Sequence, residues 1–200
     1  PAHIGALMSA FQRHQLGKPH NYYDIIHSHY WISGQLGWMI SERTGVPLVH
    51  TMHTTAKVKN LSLADGENRE PLIRELGEQQ LVDNAAALIV NTDSEGAALV
   101  SYYGANPDKV HVVTPGVDLE QFNLGARKKS DKFTITFVGR IQPHKGPEVL
   151  VRAASEIICI APQLRGKLDV AIMGDNSGSG HNELEKLKNL VKFLKLEDVV

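Results

Sequence analysis

Four histidines stand where two apolar segments end, and they are the first candidates for chemistry: His27, His29, His50 and His53. The first two occur in YDIIHSHYWISG, residues 23–34, and the other two in VPLVHTMH. We interpret Tyr23 to Ile26 as a central strand of a parallel sheet, which is covered on both faces and is therefore apolar throughout. Ligands bind beyond the carboxyl ends of such strands, so we expect these histidines and Tyr30 at a ligand-binding edge.

Three kinds of chemistry fit these histidines. They can be strand-end groups that hydrogen-bond to loops, or ligands of a zinc ion in a hydrolase. They can also be neutral imidazoles that bind or polarise a substrate hydroxyl. Because side chains alternate along a strand, His27 and His29 share one face, while Ser28 and Tyr30 share the other. No Asp or Glu follows in HTMHTTAKVKN to complete a hydrolytic metal site, so we predict that no metal binds there.

A second candidate site lies in FVGRIQPHKGPEVL, residues 137–150. The pattern predicts a strand that ends at Gly139 and a helix that begins near Pro147, a favourable residue for the first helical position. Arg140 and Lys145 would then lie between a strand end and a helix N-terminus. That position favours an anionic phosphate, through both the cations and the helix dipole.

Two glycine-containing stretches carry weaker signals. The run GDNSGSG, from Gly174 to Gly180, follows an apolar segment but matches neither the dinucleotide-binding nor the P-loop pattern, so a plain loop explains it equally well. The turn in VTPGVDLEQF, residues 113–122, is best explained as a crossover between domains.

Strand-like and helix-like segments alternate along the chain, which favours an α/β fold with parallel sheets. The predicted strands are DIIHSH, VPLVHTMH, AALIVNT, KVHVVTPG, FTITFVGR and LDVAIMG. The helical segments between them include ISGQLGWMISERTG, PEVLVRAASEIICIA and NELEKLKNLVKFLKL. Asp93 resembles the N-cap of another helix, and Gly104 resembles the glycine that ends it.

Residues 123–132, NLGARKKSDK, lack apolar periodicity and are predicted to be a linker. We therefore expect a Rossmann-like domain over residues 1–122 and the start of a second, truncated one over residues 133–200. The chain begins and stops abruptly, and we expect a fragment. Cys159 is the one cysteine, and we expect its thiol to be buried and reduced within the run IICIA.

Composition excludes several classes of function. Lysine and arginine total 21 against 22 acidic residues, a net charge of -1, so nucleic acid is not an expected partner. No apolar stretch approaches the roughly 20 residues that a membrane span needs. A single cysteine excludes a disulfide scaffold, and together these features predict a cytoplasmic protein without a membrane span.

The motifs together resemble the retaining glycosyltransferases of the GT-B fold, a group that includes sucrose synthases and bacterial mannosyltransferases. The similarity is carried by HSHYWISG, VPLVHTMHTTAKVKN, EQQLVDNAAALIVNTDSE, YYGANPDKVHVVTPGVDLEQF and FVGRIQPHKGPEVL. Within that group, HTMH followed by KVKN, together with the QPHKGP loop, is most similar to the inositol-3-phosphate glycosyltransferases. The resemblance extends from about Tyr22 to the end of the chain.

The resemblance implies two Rossmann-like domains, the second truncated, and a defined reaction. N-acetylglucosamine would pass from UDP-N-acetylglucosamine to 1D-myo-inositol 3-phosphate with retention, as the first step of mycothiol biosynthesis. By motif, Tyr30, Thr54 and Arg74 would bind the acceptor. His53 would lie beside the donor sugar, and Arg140 and Lys145 would hold the UDP diphosphate. The catalytic group would thus comprise His53, Arg140 and Lys145.

Arg74 belongs to EPLIRELGEQQLV, where Leu72, Leu76 and Leu81 are expected to face the sheet. Arg74 would lie at the border of that face and offer a bidentate fork to the acceptor phosphate. Without the resemblance, an arginine at this position is better explained as a solvated surface charge.

The sequence also departs from the family pattern. The N-terminal glycine-rich loop is absent, the carboxylates that bind the donor would lie beyond Val200, and His144 replaces an apolar residue. We therefore expect this chain alone to be inactive. The resemblance implies no cofactor for the chemistry, with Mg²⁺ only alongside the UDP-sugar, and is compatible with a homodimer. The alternatives are a sucrose-phosphate-type enzyme, the histidine-based zinc hydrolase and a non-catalytic sugar-phosphate-binding remnant.

Overall fold

Six strands, seven α-helices and three short 3₁₀ turns make up the regular structure of the described residues. The structure, a computed structural model, describes residues 3–19, 22–63, 68–125, 130–175 and 182–200. The strands are β1 Ile26–His29, β2 Leu48–Thr51, β3 Ala87–Val90, β4 Val110–Val112, β5 Phe133–Val138 and β6 Leu168–Met173. The helices are α1 Ile4–Gln15, α2 Trp31–Thr44, α3 Ala56–Leu61, α4 Leu72–Asn84, α5 Asp93–Tyr103, α6 Pro147–Ile160 and α7 Glu183–Phe193. The predicted parallel α/β fold is confirmed.

The chain divides into two compact units, the first ending at Leu119 and the second running from Glu120 to Val200. The first unit contains a four-stranded sheet in the order β1-β2-β3-β4, and the second contains the pair β5-β6. Of the predicted linker, residues 126–129 lie outside the described residues. None of the helices in the described ranges is both long and apolar enough to cross a membrane.

Strand β1 begins at Ile26, three residues later than the start predicted at Tyr23. Pairing with the neighbouring strand starts only where the Ile26 amide donates to the carbonyl of Pro47, at 2.9 Å, and Ile25 is 56% exposed. His27 and His29 are therefore inside the strand instead of beyond it. The strand also lies at one end of the described sheet instead of its centre. Apolar residues alone could not locate it, because strand pairing decides where a strand begins.

The core of the first unit lies between the sheet and helices α2, α4 and α5. Leu48, Leu81, Leu88 and Leu99 are among its fully buried members. Helix α2 approaches the sheet closely at Gly34. A Cβ added at that residue would lie only 2.7 Å from Cε1 of His50. This close approach holds the start of α2 against the strands that carry the histidines.

Helix ends confirm one part of the sequence interpretation and correct another. Gly104 ends α5 with a left-handed φ of 64°, as predicted. The N-cap of α5 is Thr92 instead of Asp93, because the Thr92 hydroxyl accepts the hydrogen bond from the Glu95 amide at 3.2 Å. Asp93 occupies the first helical position, where its negative charge interacts favourably with the positive end of the helix dipole.

Cys159 is exposed, so the expectation of a buried thiol is wrong. Helix α6 buries Pro147, Val151, Ala154 and Ile158, which follow a spacing of three to four residues. Cys159 comes one position after the last of them, and one helical residue rotates a side chain by about 100°. The apolar composition of IICIA misled the prediction, whereas the helical spacing gives the correct face.

In the second unit, the segments that follow β5 and β6 come into backbone contact. The amide of Gly139 donates to Met173 at 3.0 Å, and the amide of Ile141 donates to Asp175 at 3.1 Å. A Cβ added at Gly174 would lie 1.8 Å from the carbonyl oxygen of Gly139. Only glycine fits there, and this contact holds the start of the loop that carries Arg140.

We predict that Gly174→Ala destabilises the second unit by more than about 3 kcal/mol, the upper end for overpacking, because the clash is with backbone that cannot rotate away. Hydrogen exchange of β6 and α6, followed by mass spectrometry, measures the effect. Gly166→Ala is the matched control, since a Cβ there meets nothing within 4 Å. Equal protection in the two variants would contradict the prediction.

Candidate functional site

Three of the four histidines come together on one face of the sheet edge. Nε2 of His27 lies 2.8 Å from Oγ1 of Thr51, and the His27 and His29 ring centroids are 4.3 Å apart. The His29 and His53 rings stack at 5.1 Å, with Nδ1 of His29 2.9 Å from Nε2 of His53. The prediction that His27 and His29 share a face is confirmed.

His50 lies on the opposite face, in the core. Its side chain is fully buried, and its Nδ1 lies 2.8 Å from Oγ of Ser28. Burial, together with the nearby histidines, lowers the pKa of His50 to about 4. The ring is therefore neutral at physiological pH. Within the described residues its Nε2 has no hydrogen-bond partner.

This separation counts against a four-histidine metal site. Among the described residues, no three His, Cys, Asp or Glu side chains are placed to share one ion. Burial lowers the pKa of His27 from its usual value, and His29 and His53 add to that effect. The rings of His27, His29 and His53 thus form a hydrogen-bonding surface at the edge of the sheet.

The two loops that leave β1 and β2 contain unusual backbone conformations. Tyr30 has φ 69° and ψ 150°, and His53 has φ 60°. Residues other than glycine seldom adopt such backbone angles. Each such residue costs about 1–3 kcal/mol, and these residues occur most often at functional sites. Both strained residues lie at the carboxyl edge, which is where the sequence predicted a site.

Arg74 lies at the same edge but is not a surface residue. It is 2% exposed, and its Nε donates to Glu78 at 2.7 Å. Its Nη2 donates to the carbonyl and the hydroxyl of Thr54, both at 3.0 Å, and its Nη1 pairs with Glu70 at 2.9 Å. The guanidinium also lies 4.9 Å from the centroid of the Tyr30 ring. The structure thus brings Tyr30, Thr54 and Arg74 together.

The face assigned to helix α4 is wrong in part. Leu81 is fully buried as expected, whereas Leu72 and Leu76 are 66% and 57% exposed. The buried residues of α4 are Arg74, Gly77, Glu78, Leu81 and Val82. Arg74 and Glu78 occupy the buried face where leucines were predicted. They can be buried because their opposite charges are paired.

Sequence reasoning missed Glu78, which is fully buried at the centre of this network. Besides Arg74, its carboxylate accepts hydrogen bonds from the Ala56 amide at 2.8 Å and from the Tyr103 hydroxyl at 2.5 Å. Burial raises the pKa of Tyr103, and the hydrogen bond to Glu78 adds to the effect. The sequence did contain a signal for this network: Glu70, Arg74 and Glu78 are spaced by four residues, and opposite charges at that spacing are neighbours on a helix.

Glu70 occupies the outer end of the same network. Its carboxylate pairs with Lys59 and with Nη1 of Arg74, and its amide donates to Asn60 at 2.7 Å. Burial tends to raise the pKa of Glu70, but the two cations outweigh burial and lower it. The motif KVKN therefore helps hold the acidic partner of Arg74.

A cleft of about 330 Å³ opens beside this network within the first unit. His53, Thr54, Lys59, Ser94 and Glu95 are among its lining residues. Hydroxyls, a carboxylate and an ammonium group line it together with apolar side chains such as Met52. This combination suits a polyhydroxylated ligand that carries negative charge.

In the second unit, Arg140 and Lys145 occupy the loop between β5 and α6, as predicted. Both are exposed, and Lys145 belongs to a 3₁₀ turn, Pro143–Lys145, that precedes α6. Helix α6 begins at Pro147 as predicted, after Gly146 with φ 72°. Of the GDNSGSG segment, residues 176–180 lie outside the described residues. A cleft of about 450 Å³ beside α6 is not lined by either cation.

The buried His50 makes the stability of the first unit depend on pH. Its pKa is about 4 folded and about 6.5 unfolded, so its contribution is complete above pH 6.5 and is lost as pH falls towards 4. The loss should be about 3 kcal/mol, and His27 contributes in the same direction. Urea unfolding followed by tryptophan fluorescence measures it, because both tryptophans, Trp31 and Trp38, lie in this unit.

The test variant is His50→Gln, which cannot ionise and should flatten the dependence between pH 6.5 and 4. His111→Gln, at an exposed position on β4, is the matched control and should keep the original slope. An unchanged slope in His50→Gln would contradict the assignment.

Comparison with known proteins identifies the family. Residues 2–121 match the model of Glycosyltransferase Family 4, and residues 121–200 match that of Glycosyl transferases group 1. The whole chain is 48% identical to D-inositol 3-phosphate glycosyltransferase 2 of Catenulispora acidiphila and covers 49% of that protein. It is also 48% identical to D-inositol 3-phosphate glycosyltransferase of Kribbella flavida, with the same coverage of each protein.

Solved structures show the same fold. Sucrose-phosphate synthase from Thermosynechococcus elongatus superimposes with a TM-score of 0.77 at 25% identity, over 98% of this chain and 48% of that one. The chain spans about half the length of the curated relatives that it matches. From its sequence and its parallel α/β units of the GT-B type, the chain belongs to glycosyltransferase family 4.

Proposed function

We propose that the protein containing this chain transfers N-acetylglucosamine from UDP-N-acetylglucosamine to 1D-myo-inositol 3-phosphate with retention, as the first step of mycothiol biosynthesis. One observation carries the proposal: Tyr30, Thr54 and Arg74, which the resemblance assigns to the acceptor, lie together at the sheet edge beside His53. The names of the relatives at 48% identity support the same acceptor. A cytoplasmic location is part of the proposal.

The residues around Arg74 define how an acceptor phosphate would bind. Glu78 and Thr54 already take the Nε and Nη2 hydrogens, so a phosphate can contact Arg74 only along its Nη1 edge. Glu70 lies on that edge and would have to move away. A dianionic phosphate is better suited than a neutral hydroxyl to replace a carboxylate between Lys59 and Arg74. We infer that this exchange selects a phosphorylated acceptor.

Arg140 and Lys145 supply the charge that the donor requires. Breaking the bond between sugar and diphosphate places negative charge on the leaving oxygen, and fixed cations stabilise that charge. Both side chains are exposed next to the start of α6, whose backbone amides add positive potential. We assign no resident cofactor to the chemistry, with Mg²⁺ only as a counter-ion of the UDP-sugar. A homodimer is compatible with this reaction.

The test of the donor assignment is Arg140→Ala in a protein that extends this chain to the full length of its relatives. Loss of one such electrostatic contact costs about 3–4 kcal/mol, so turnover should fall by about a hundredfold to a thousandfold. Arg152→Ala is the matched control, because Arg152 lies on α6 and pairs with Glu148 on the exposed surface. Normal turnover and normal UDP affinity in Arg140→Ala would exclude the assignment.

The acceptor assignment needs a variant other than Arg74→Ala, because Arg74 is buried and its loss would also unfold the site. Thr54→Val removes a hydroxyl while keeping the shape, and the Michaelis constant for inositol phosphate should rise about tenfold, the value of one hydrogen bond to a charged group. The constant for UDP-N-acetylglucosamine should stay unchanged. Thr44→Val is the control, because the Thr44 hydroxyl donates to the carbonyl of Ile40 within α2, at 2.8 Å, and does not line the cleft.

A sucrose-phosphate-type enzyme remains the second candidate, because a synthase of that type matches the structure over 98% of the chain. Turnover with inositol phosphate, unphosphorylated inositol and fructose 6-phosphate separates the two candidates. Faster transfer to fructose 6-phosphate would favour the second candidate. Transfer to none of the three would exclude both, and the anomeric configuration of the product tests retention.

A further inference from the structure

The rings of His27, His29 and His53 form one continuous row of contacts, which we call the histidine stack. The first two rings are tilted by 36°, and the last two are stacked. It begins on strand β1, where the His27 ring is fixed by its hydrogen bond to Thr51 at 2.8 Å. It continues through His29, at 4.3 Å between centroids, and ends at His53, at 5.1 Å with an angle of 29° between the ring planes. His29 and His53 therefore each lie against a ring that is better anchored than itself.

His53 depends on this stack for its orientation. It lies in the loop after β2, it is exposed, and its backbone has the left-handed φ of 60°. An exposed imidazole on a loop samples several rotamers unless a neighbour holds it. Among the described residues, the hydrogen bond that holds the His53 ring joins its Nε2 to Nδ1 of His29, at 2.9 Å.

His29 is well placed to act as that support. It lies within β1, in register with Thr51 of β2, so its backbone is fixed by the sheet. Its amide donates to Oγ of Ser33 at 3.1 Å, which also ties it to the first turn of α2. The support thus belongs to the rigid sheet, whereas the supported ring belongs to a loop.

The hydrogen bond also decides which nitrogen of His53 is available to a ligand. A single proton lies between Nδ1 of His29 and Nε2 of His53, because two facing N–H groups would repel each other. Nε2 of His53 is therefore committed to His29, and Nδ1 is the ring nitrogen left for a ligand. The hydrogen bond made by one ring nitrogen sets the role of the other.

From this geometry we propose that His29 is a positioning residue, which holds the ring of His53 in one rotamer and one tautomer. The proposal rests on the proposed function, in which His53 lies beside the donor sugar. Its consequence is that loss of His29 should slow turnover without weakening the binding of the acceptor, whose expected contacts are Tyr30, Thr54 and Arg74.

Three substitutions of His29 separate positioning from simple packing. In His29→Asn, the side-chain amide occupies the place of Nδ1 and keeps the hydrogen bond to His53. In His29→Gln, the amide is one carbon further out, where Nε2 of the histidine was. His29→Leu fills the space but removes the hydrogen bond.

The first measurement uses this chain as it stands, with ¹⁵N-labelled histidines and long-range ¹H–¹⁵N NMR spectra of the rings. In the wild type and in His29→Asn, the two His53 nitrogens should give the signals of one dominant tautomer. In His29→Leu and His29→Gln they should move towards the average of two tautomers. An unchanged His53 pattern in His29→Leu would overturn the proposal.

The second measurement uses the full-length protein. Turnover should fall about tenfold to a hundredfold in His29→Leu, the range for loss of a group that orients a functional histidine, and His29→Asn should recover most of it. The Michaelis constant for the acceptor should stay within about twofold, as expected for a group that acts on orientation alone. Equal turnover in the leucine and asparagine variants would overturn the proposal.

The two measurements also distinguish this proposal from the proposed function. If the wild-type protein transfers no sugar to inositol phosphate, the proposed function fails, and the NMR spectra still decide whether His29 orients His53. If His29→Leu does not fold, as judged by tryptophan fluorescence, the comparison of His29→Asn with His29→Gln decides instead, because both carry an amide.

Discussion

The buried ion pair between Arg74 and Glu78 is the interaction on which the sheet edge depends. Glu78 has no exposed surface, and an isolated carboxylate there would lose its hydration at a cost of several kcal/mol. Three donors from separate parts of the chain compensate that cost: Arg74 on α4, the amide of Ala56 on α3 and the hydroxyl of Tyr103 on α5. One carboxylate therefore fixes three helices relative to each other.

Arg74 extends this constraint to the loops that carry the candidate site. Through Nη2 it holds the backbone and side chain of Thr54, the residue next to His53. Its planar face lies 4.9 Å from the centroid of the Tyr30 ring, and a cation over an aromatic face is attractive. Tyr30 and His53 both have strained backbone, and such strain persists only where the surroundings enforce it. The buried pair provides part of that enforcement.

The sequence was sufficient to predict the general fold, because runs of apolar residues and helical spacing indicate directly which residues are buried. It located all six strands and the polar edge of the first sheet. It placed the start of β1 three residues too early, since pairing with β2 begins only at Ile26. It also treated Arg74 as a border residue. That prediction overlooked the spacing of four residues to Glu78, and Thr54, a second partner in its burial, is brought to Arg74 only by the fold.

The same limit applies to the histidines. Alternation along a strand correctly separated His27 and His29 from Ser28, but it could not show that His50 is buried with Ser28 while His53 turns towards His29. That outcome depends on the left-handed backbone of His53, which no local pattern encodes. The buried face of a helix can be predicted from residue spacing. Contacts between loops can be predicted only when the distances between strands and helices are known.

The central claim is that the Arg74–Glu78 pair holds the first unit and its sheet edge together. The most direct test is the free energy of unfolding of Glu78→Gln, followed by tryptophan fluorescence and compared with that of Glu75→Gln. Glu75 lies on the same helix, and its hydrogen bond from Asn60, at 2.7 Å, can also be accepted by a glutamine. We predict a loss of about 3–5 kcal/mol for Glu78→Gln and less than about 1 kcal/mol for Glu75→Gln. Equal losses in the two variants would contradict the account.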